Sequence, residues 1–306
     1  NKVLTSPSSF GQCGLEPLNL LYRHGFKVIP NPYGRKLSED EVIELAEGCI
    51  GIIAGVESLS KKVMDALPFL KCISRVGVGM ENVDLEYAKT KDIIVVNTPY
   101  GPTRSVAEFT LAMTFSILRK IPQADAAMKK RIWIKQIGNL LFKKKVGIIG
   151  LGRIGRMVAE MFRALGNPVI GYDLVPDENW AKEHGVQLTS FNQVIQNSEI
   201  LLLHIPGNKD KTAVIGKKEL AKMPKDAFLI NISRGGVVDE HALYQALDSK
   251  KIAGAAIDVF SKEPYDGSLC ELDNVILTPH LGSYALEGKL QMEIDAAQNL
   301  IELIMK

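Results

Sequence analysis

The chain has 306 residues, 46% of them hydrophobic and 24% charged, which suffices for two ordinary domains with a core each. A net charge of +2 is too mild to favour nucleic acid or an anionic membrane as a partner. Cys13, Cys49, Cys72 and Cys270 lie scattered, with no C-x-x-C pair and no metal-ligand spacing, so no metal is expected and the thiols read as reduced packing residues. With no basic-then-apolar leader and no apolar run near the ~20 residues of a membrane span, a cytoplasmic protein is expected.

The first hundred residues alternate strand and helix. Apolar runs predict strands over 2–5, 27–29, 50–54, 72–75 and 93–96, with helical patterns at 14–23, 38–47, 61–66 and 85–89. Ser38 followed by Glu41 is a capping-box signature for the second helix. This alternation predicts a parallel sheet covered on both faces. At 97–102 (NTPYGP) two prolines and a glycine mark a crossover out of that sheet. A long helix is then expected over 105–128, bent at Pro122. Its apolar residues Val106, Leu111, Met113, Phe115, Ile117 and Leu118 cover more than one face, as in a helix buried between domains or against a second subunit.

The stretch over 145–173, KVGIIGLGRIGRMVAEMFRALGNPVIGYD, organises the second half. It reads as a buried strand, a glycine turn, an amphipathic helix and a second strand ending at Asp173. Gly150, Gly152 and Gly155 follow the G-x-G-x-x-G pattern. The first permits the tight turn, the second admits a pyrophosphate to the backbone, and the third lets helix and strand pack closely. The helix N-terminus offers unpaired N–H groups to phosphate. Asp173 lies 18 residues beyond Gly155, where a carboxylate accepts hydrogen bonds from ribose hydroxyls. Leu174, Val175 and Pro176 follow it, with no Lys or Arg for a 2′-phosphate, so NAD is favoured over NADP. Further strands are expected over 169–172, 200–204, 227–232, 252–258 and 275–277, and helices over 192–196, 217–222, 240–249 and 282–305. The last helix is expected to return to the first domain.

Three strand ends carry reactive side chains. Arg234 sits on a glycine-rich turn (NISRGG), Glu263 precedes a proline after DVF at 258–260, and His280 follows Thr278-Pro279. In a doubly wound fold, ligands bind at the carboxyl ends of strands, so these three are expected to converge on one crevice between domains. Taken singly, an arginine at a strand end is usually a surface ion pair and a histidine a packing residue. His24, His184 and His241 read as solvent or packing positions, whereas His204 ends a strand and could touch cofactor or pack in the core.

From Val146 to His280 the sequence resembles the D-isomer-specific 2-hydroxyacid dehydrogenases, the family that includes D-3-phosphoglycerate dehydrogenase and glyoxylate/hydroxypyruvate reductase. The segments that carry the resemblance are GIIGLGRIG, LINISRGGVVDE, AAIDVFSKEP and LTPHLG, in that order, with SRVGVGMENVD, VVNTP and TRSVAE in the first domain. The resemblance implies an α/β protein of two doubly wound, Rossmann-like domains with parallel sheets. Residues 1–98 and 282–306 would form a discontinuous catalytic, substrate-binding domain closed by the C-terminal helix, and 99–281 the NAD-binding domain. The implied activity is NAD-dependent hydride transfer between a small 2-keto acid and its D-2-hydroxy acid.

By the same resemblance, Arg234 holds the substrate carboxylate and polarises the ketone, His280 is the acid/base, and Glu263 is its partner. A guanidinium presents a planar, permanently charged fork, and a free imidazole titrates near ~6.5, close to working pH. Val76 and Gly77 are implied as backbone N–H donors to the substrate carboxylate, with Arg75 as a helper. Asp258 is implied to hold the nicotinamide carboxamide. His204, Pro206 and Thr212 are implied to line the adenosine and phosphate pocket. Arg153, Ile154, Ile232, Ser233 and Gly282 complete the cofactor contacts. The long helix after Thr103 resembles the family's dimerisation element, so a homodimer is expected.

The sequence departs from the phosphoglycerate branch after the third strand, where GIIAGVESLS places Gly55 instead of an arginine. A non-phosphorylated acid is therefore the preferred substrate, although Arg35, Lys36 or another subunit could supply the cation. D-3-phosphoglycerate dehydrogenase is the alternative enzyme. An NADH-sensing, co-repressor-like binding protein is the alternative of another class.

Overall fold

The computed structural model describes residues 1–208, 210 and 212–305. The chain divides into two compact units, Asn1–Ser105 with Ser283–Lys306, and Val106–Gly282.

In the first unit the order is β1 (Lys2–Thr5), α1 (Glu16–Arg23), β2 (Lys27–Pro30), α2 (Glu39–Leu45), β3 (Cys49–Ala54), α3 (Lys61–Ala66), β4 (Cys72–Arg75), α4 (Leu85–Thr90) and β5 (Ile94–Asn97). The strands form one parallel sheet in the order β2-β1-β3-β4-β5. A parallel sheet needs a helical layer on each face, and the strands supply apolar side chains to both. Leu4, Ile52 and Ile73 meet Val42, Val63 and Ala88 on one face, while Val3, Ile53 and Cys72 meet Leu21 and the C-terminal helix on the other. Ser38 and Glu41 form the expected reciprocal cap on α2.

Helix α5 (Gly101–Arg119) begins in the first unit and passes into the second at Val106; the second unit continues through α6 (Ile121–Lys129), β6 (Val146–Ile149), α7 (Arg153–Ala164), β7 (Val169–Tyr172), α8 (Glu178–Glu183), β8 (Val186–Leu188), α9 (Phe191–Asn197) and β9 (Ile200–Leu203). It ends with α10 (Lys217–Lys222), β10 (Phe228–Asn231), α11 (Glu240–Asp248), β11 (Gly254–Ile257) and β12 (Val275–Leu277). Its seven parallel strands run β12-β11-β10-β9-β6-β7-β8, and the order reverses between β9 and β6. That reversal is the switch point at which such sheets take ligands. Side chains alternate across the sheet: Leu201, Leu203 and Leu229 enter one core, and Ile200, Leu202 and Ile230 the other. Helix α7 buries Gly155, Val158, Ala159 and Phe162, one stripe at helical spacing. Helix α12 (Leu286–Met305) belongs to the first unit, where Ala296, Ala297, Leu300 and Ile301 close the sheet.

Three expectations need correction. The single bent helix over 105–128 is two helices that part at Lys120, which adopts a left-handed conformation at φ 53°. Proline lacks an N–H and clashes with the preceding turn, so Pro122 is accommodated in the first turn of α6 and not inside a helix. The carbonyl this releases, Leu118 O, accepts the Asn139 N–H at 2.8 Å. The short α8 and β8 were not expected from the sequence, because neither is long enough to show a period. The final helix starts at Leu286 and not at 282: Gly282 and Ser283 form a turn, and the Gly282 N–H is held by Asp258 at 2.8 Å. Among the described residues no helix is long and apolar enough to cross a membrane.

Candidate active site

The glycine loop follows β6, whose four residues are all buried. Gly150 has φ 95°, and a Cβ there would lie 2.3 Å from His204 O. At Gly155 a Cβ would lie 1.9 Å from Gly150 O, so the helix can start against the turn only as glycine. At Gly152 nothing stands within 4 Å of the added atom. That open cradle faces the start of α7, which has no side-chain cap, so the N–H groups of its first turn remain for an anion. Arg153 and Ile154 are the first two residues of that turn.

Asp173 sits just beyond β7. Its Oδ2 accepts the Leu151 N–H at 2.6 Å and its Oδ1 the Val175 N–H at 2.9 Å. These bonds fix the carboxylate beside the glycine loop and leave lone pairs for ribose hydroxyls. Arg156, a second cation near this loop beside Arg153, is engaged by Asp177 at 3.0 Å and by Leu151 O at 2.9 Å. The residues present therefore fit a dinucleotide with free ribose hydroxyls.

His204 follows β9 and donates its N–H to Ile149 O at 2.8 Å. Both ring nitrogens are buried without a partner among the described residues, and burial pushes the imidazole pKa down to about 4. Unpaired buried nitrogens beside a glycine loop are what a bound cofactor satisfies. Pro206 is exposed beyond it, and Thr212 donates its hydroxyl to Asp210 at 2.7 Å. A stability consequence follows from His204. Its folded pKa lies below the unfolded value of ~6.5, so between those values the unfolded chain binds a proton that the folded chain does not. Stability is therefore lost as pH falls from ~6.5 towards 4, by at most about 3 kcal/mol. Urea midpoints measured across this range should fall with pH in the wild type and flatten in His204→Asn; an unchanged slope would contradict a buried neutral ring.

The three reactive side chains lie past β10, β11 and β12, adjacent parallel strands whose carboxyl ends share one edge. Asn231 shapes the first turn: its Oδ1 accepts the Ser233 N–H at 3.1 Å and hydroxyl at 2.7 Å, and its Nδ2 donates to Arg234 O at 3.1 Å. Ile232 and Ser233 are buried there, and Arg234 Nη1 donates to Ser233 O at 2.8 Å. A Cβ on Gly235 would lie 1.9 Å from Phe260 O, so the arginine turn is pressed directly on the loop after β11.

That second loop delivers the acid. Glu263 Oε1 accepts the Phe260 N–H at 3.1 Å, and both carboxylate oxygens face His280 Nδ1, at 3.1 and 3.0 Å. A carboxylate only accepts, so Nδ1 carries the proton and donates. Among the described residues Nε2 has no partner, and the ring is half exposed.

Asp258 builds the third turn. Its fully buried carboxylate accepts the Thr278 hydroxyl at 2.6 Å and the N–H groups of Leu281 and Gly282 at 2.7 and 2.8 Å. Burial pushes its pKa up, and these hydrogen bonds pull the other way. His280, left-handed at φ 57°, is held between those anchors, and its N–H donates to Asp258 O at 2.9 Å.

In the first unit, the turn after β4 was expected to present N–H groups to a carboxylate. Val76 N–H donates to Ala54 O at 2.8 Å and Gly77 N–H to Thr98 Oγ1 at 2.7 Å. Arg75 Nη1 donates to Val76 O, and a Cβ on Gly77 would fall 1.7 Å from that nitrogen.

The sequence model of the D-isomer specific 2-hydroxyacid dehydrogenase NAD-binding domain matches residues 111–282. The chain belongs to this family. D-3-phosphoglycerate dehydrogenase from Synechocystis sp. is 35% identical over 99% of this chain and 54% of that protein. The enzyme of the same name from Methanocaldococcus jannaschii is 38% identical over 83% of this chain and 49% of its own length. The chain thus spans about half the length of the curated relatives it matches. Among solved structures, D-lactate dehydrogenase from Aquifex aeolicus, complexed with NAD and lactic acid, superposes with a TM-score of 0.80. It is 29% identical, covering 100% of this chain and 94% of that one.

One pair of donors differs from what the family resemblance implied. The N–H groups of Val76 and Gly77 are already spent inside the first unit, whereas among the described residues those of Val78 and Gly79 are unpaired. The donors available to a carboxylate thus lie two residues further along. Asp258 has a second task beside the one expected: Oδ1 accepts the Thr278 hydroxyl and the Leu281 N–H and Oδ2 the Gly282 N–H, which holds the turn that presents His280 and leaves Oδ2 a lone pair. Nothing in the residue order alone signals that tether.

Proposed function

We infer that this member of the 2-hydroxyacid dehydrogenase family is an NAD-dependent oxidoreductase that interconverts a small 2-keto acid and its D-2-hydroxy acid. The observation that carries the reading is the Glu263–His280 pair, on the strand edge that also presents the Arg234 turn. NAD fits the open cradle at Gly152 and the Asp173 carboxylate, which would repel a 2′-phosphate. The cofactor supplies or accepts the hydride.

In the oxidation direction His280 Nε2 takes the hydroxyl proton while the C2 hydrogen departs as hydride and the O–H electron pair forms the ketone. In reduction Nε2 returns that proton to the C2 oxygen. Glu263 orients the ring through Nδ1 and stabilises the charge it gains. The Arg234 guanidinium binds the carboxylate and polarises the ketone. Among the described residues, the turn after β4 in the first unit has unpaired N–H groups, on Val78 and Gly79, of the kind that bind a carboxylate. Nicotinamide absorbance during incubation with D- and L-2-hydroxy acids and NAD tests the reading. Reduction of NAD with D acids alone is expected, and no reduction with any acid would overturn it.

D-3-phosphoglycerate specificity is the second reading, favoured by the names of the relatives above. A cytoplasmic enzyme is consistent with the composition.

The family expectation of a homodimer has a surface to act on. The irregular segment after α6 exposes Ile134, Leu140 and Phe142, with Trp133 at 77% and Ile137 at 91%. An apolar strip of this kind on a soluble chain marks an interaction site. Sedimentation should find a dimer for the wild type and a monomer for Trp133→Glu combined with Ile137→Glu. A monomeric wild type at micromolar concentration would remove the dimer.

A further inference from the structure

The carboxyl edge of the first sheet carries a buried acid that hydride transfer does not use. Glu57, just past β3, is 2% exposed. Its Oε1 accepts the hydroxyl of Ser6, at the end of β1, and the Gly55 N–H at 2.9 Å; Oε2 lies 3.2 Å from the same N–H. Ser6 is itself 1% exposed. Among the described residues no cation pairs with this carboxylate. Arg35, one cation the sequence offered for a phosphate, is held in a fork by Glu41 at 2.9 and 2.6 Å.

Glu57 adjoins the turn that offers unpaired N–H groups. Asn82 Nδ2, at the far end of that turn, donates to Glu57 O at 2.6 Å and to Gly55 O at 3.3 Å. The Val76 N–H meets Ala54 O from the other side. The strand end at Gly55–Glu57 and the turn over 76–82 thus form one wall. Gly55, only partly buried, stands on this wall beside the turn that carries Val78 and Gly79.

We propose that Glu57 determines the charge of the substrate this wall accepts. Its carboxylate consumes the hydroxyl and N–H donors that an anion would need there, and sets a negative charge in their place. The wall therefore selects 2-hydroxy acids whose far end is neutral or cationic over those that end in phosphate. The proposal rests on the 2-hydroxy acid reading above. A like charge a few ångströms away in a partly buried site weakens anion binding by about ten- to a hundredfold.

Calorimetric titration of the full chain with NAD present tests this, using D-glycerate and 3-phospho-D-glycerate as probes on wild type, Glu57→Gln and Glu57→Ala. Wild type should bind D-glycerate about tenfold more tightly, or better. Glu57→Gln should raise affinity for the phosphorylated acid about tenfold and leave D-glycerate within about threefold. Glu57→Ala should raise it further, since the Ser6 and Gly55 donors are also released. Circular dichroism checks folding, and the near-isosteric Gln variant decides the matter if Ala unfolds. Equal changes for both acids, a wild-type preference for the phosphorylated one, or binding of neither overturns the proposal. Nicotinamide reduction is followed in parallel. A binding ratio that moves with Glu57 while no acid is oxidised contradicts the redox reading and leaves charge selection standing.

Discussion

Replacing His280 by alanine is expected to lower kcat by about a thousandfold, the scale on which a positioned acid/base acts. The loss falls on kcat because Nε2 has no role until the C2 oxygen changes its proton. NADH affinity should stay within about twofold, since the glycine loop and Asp173 do not depend on the ring. Glu263→Gln should cost less, about ten- to a hundredfold, because an amide can still orient the ring but supplies no charge. Stopped-flow absorbance gives kcat, and fluorescence titration gives NADH affinity. Should His280→Ala retain wild-type kcat with a weakened cofactor, the histidine would be a binding residue and the assignment wrong.

Arg234→Gln should lower kcat/KM by about a hundred- to a thousandfold, through the loss of charge-assisted bonds to both carboxylate and ketone. Arg234→Lys should recover only part of this, because an ammonium keeps the charge without the planar fork. The turn itself should survive, since Asn231 and the Gly235–Phe260 contact shape it in addition to the Arg234 Nη1 bond to Ser233 O. Steady-state kinetics with the keto acid varied would separate the terms. A rise in KM with kcat unchanged would make Arg234 a carboxylate anchor only, with no part in polarising the ketone.

The residues that residue order makes legible are those whose constraints are local. Gly150, Gly155 and Asp173 could be read because one turn and the next strand end fix all three, and a Cβ at either glycine collides with backbone. The parallel sheets followed from alternating strand and helix, since a crossover helix returns each strand in the same direction. What could not be read depends on partners distant in the chain. Val76 and Gly77 lose their N–H groups to Ala54 and Thr98, from different strand ends. The tether from Asp258 to the Thr278–Gly282 turn likewise joins strand ends distant in the chain. The break at Lys120 was misplaced because the proline shows at the sequence level while the strain it imposes is absorbed two residues earlier.

Transfer of label between substrate and cofactor tests the central claim most directly. The chain is incubated with NAD and D-glycerate carrying deuterium at C2, and the nicotinamide is examined by NMR. Deuterium at nicotinamide C4 from the D acid and none from its L isomer is the predicted result. Transfer from the L isomer, or no transfer from either in a protein that binds both partners, would contradict the account.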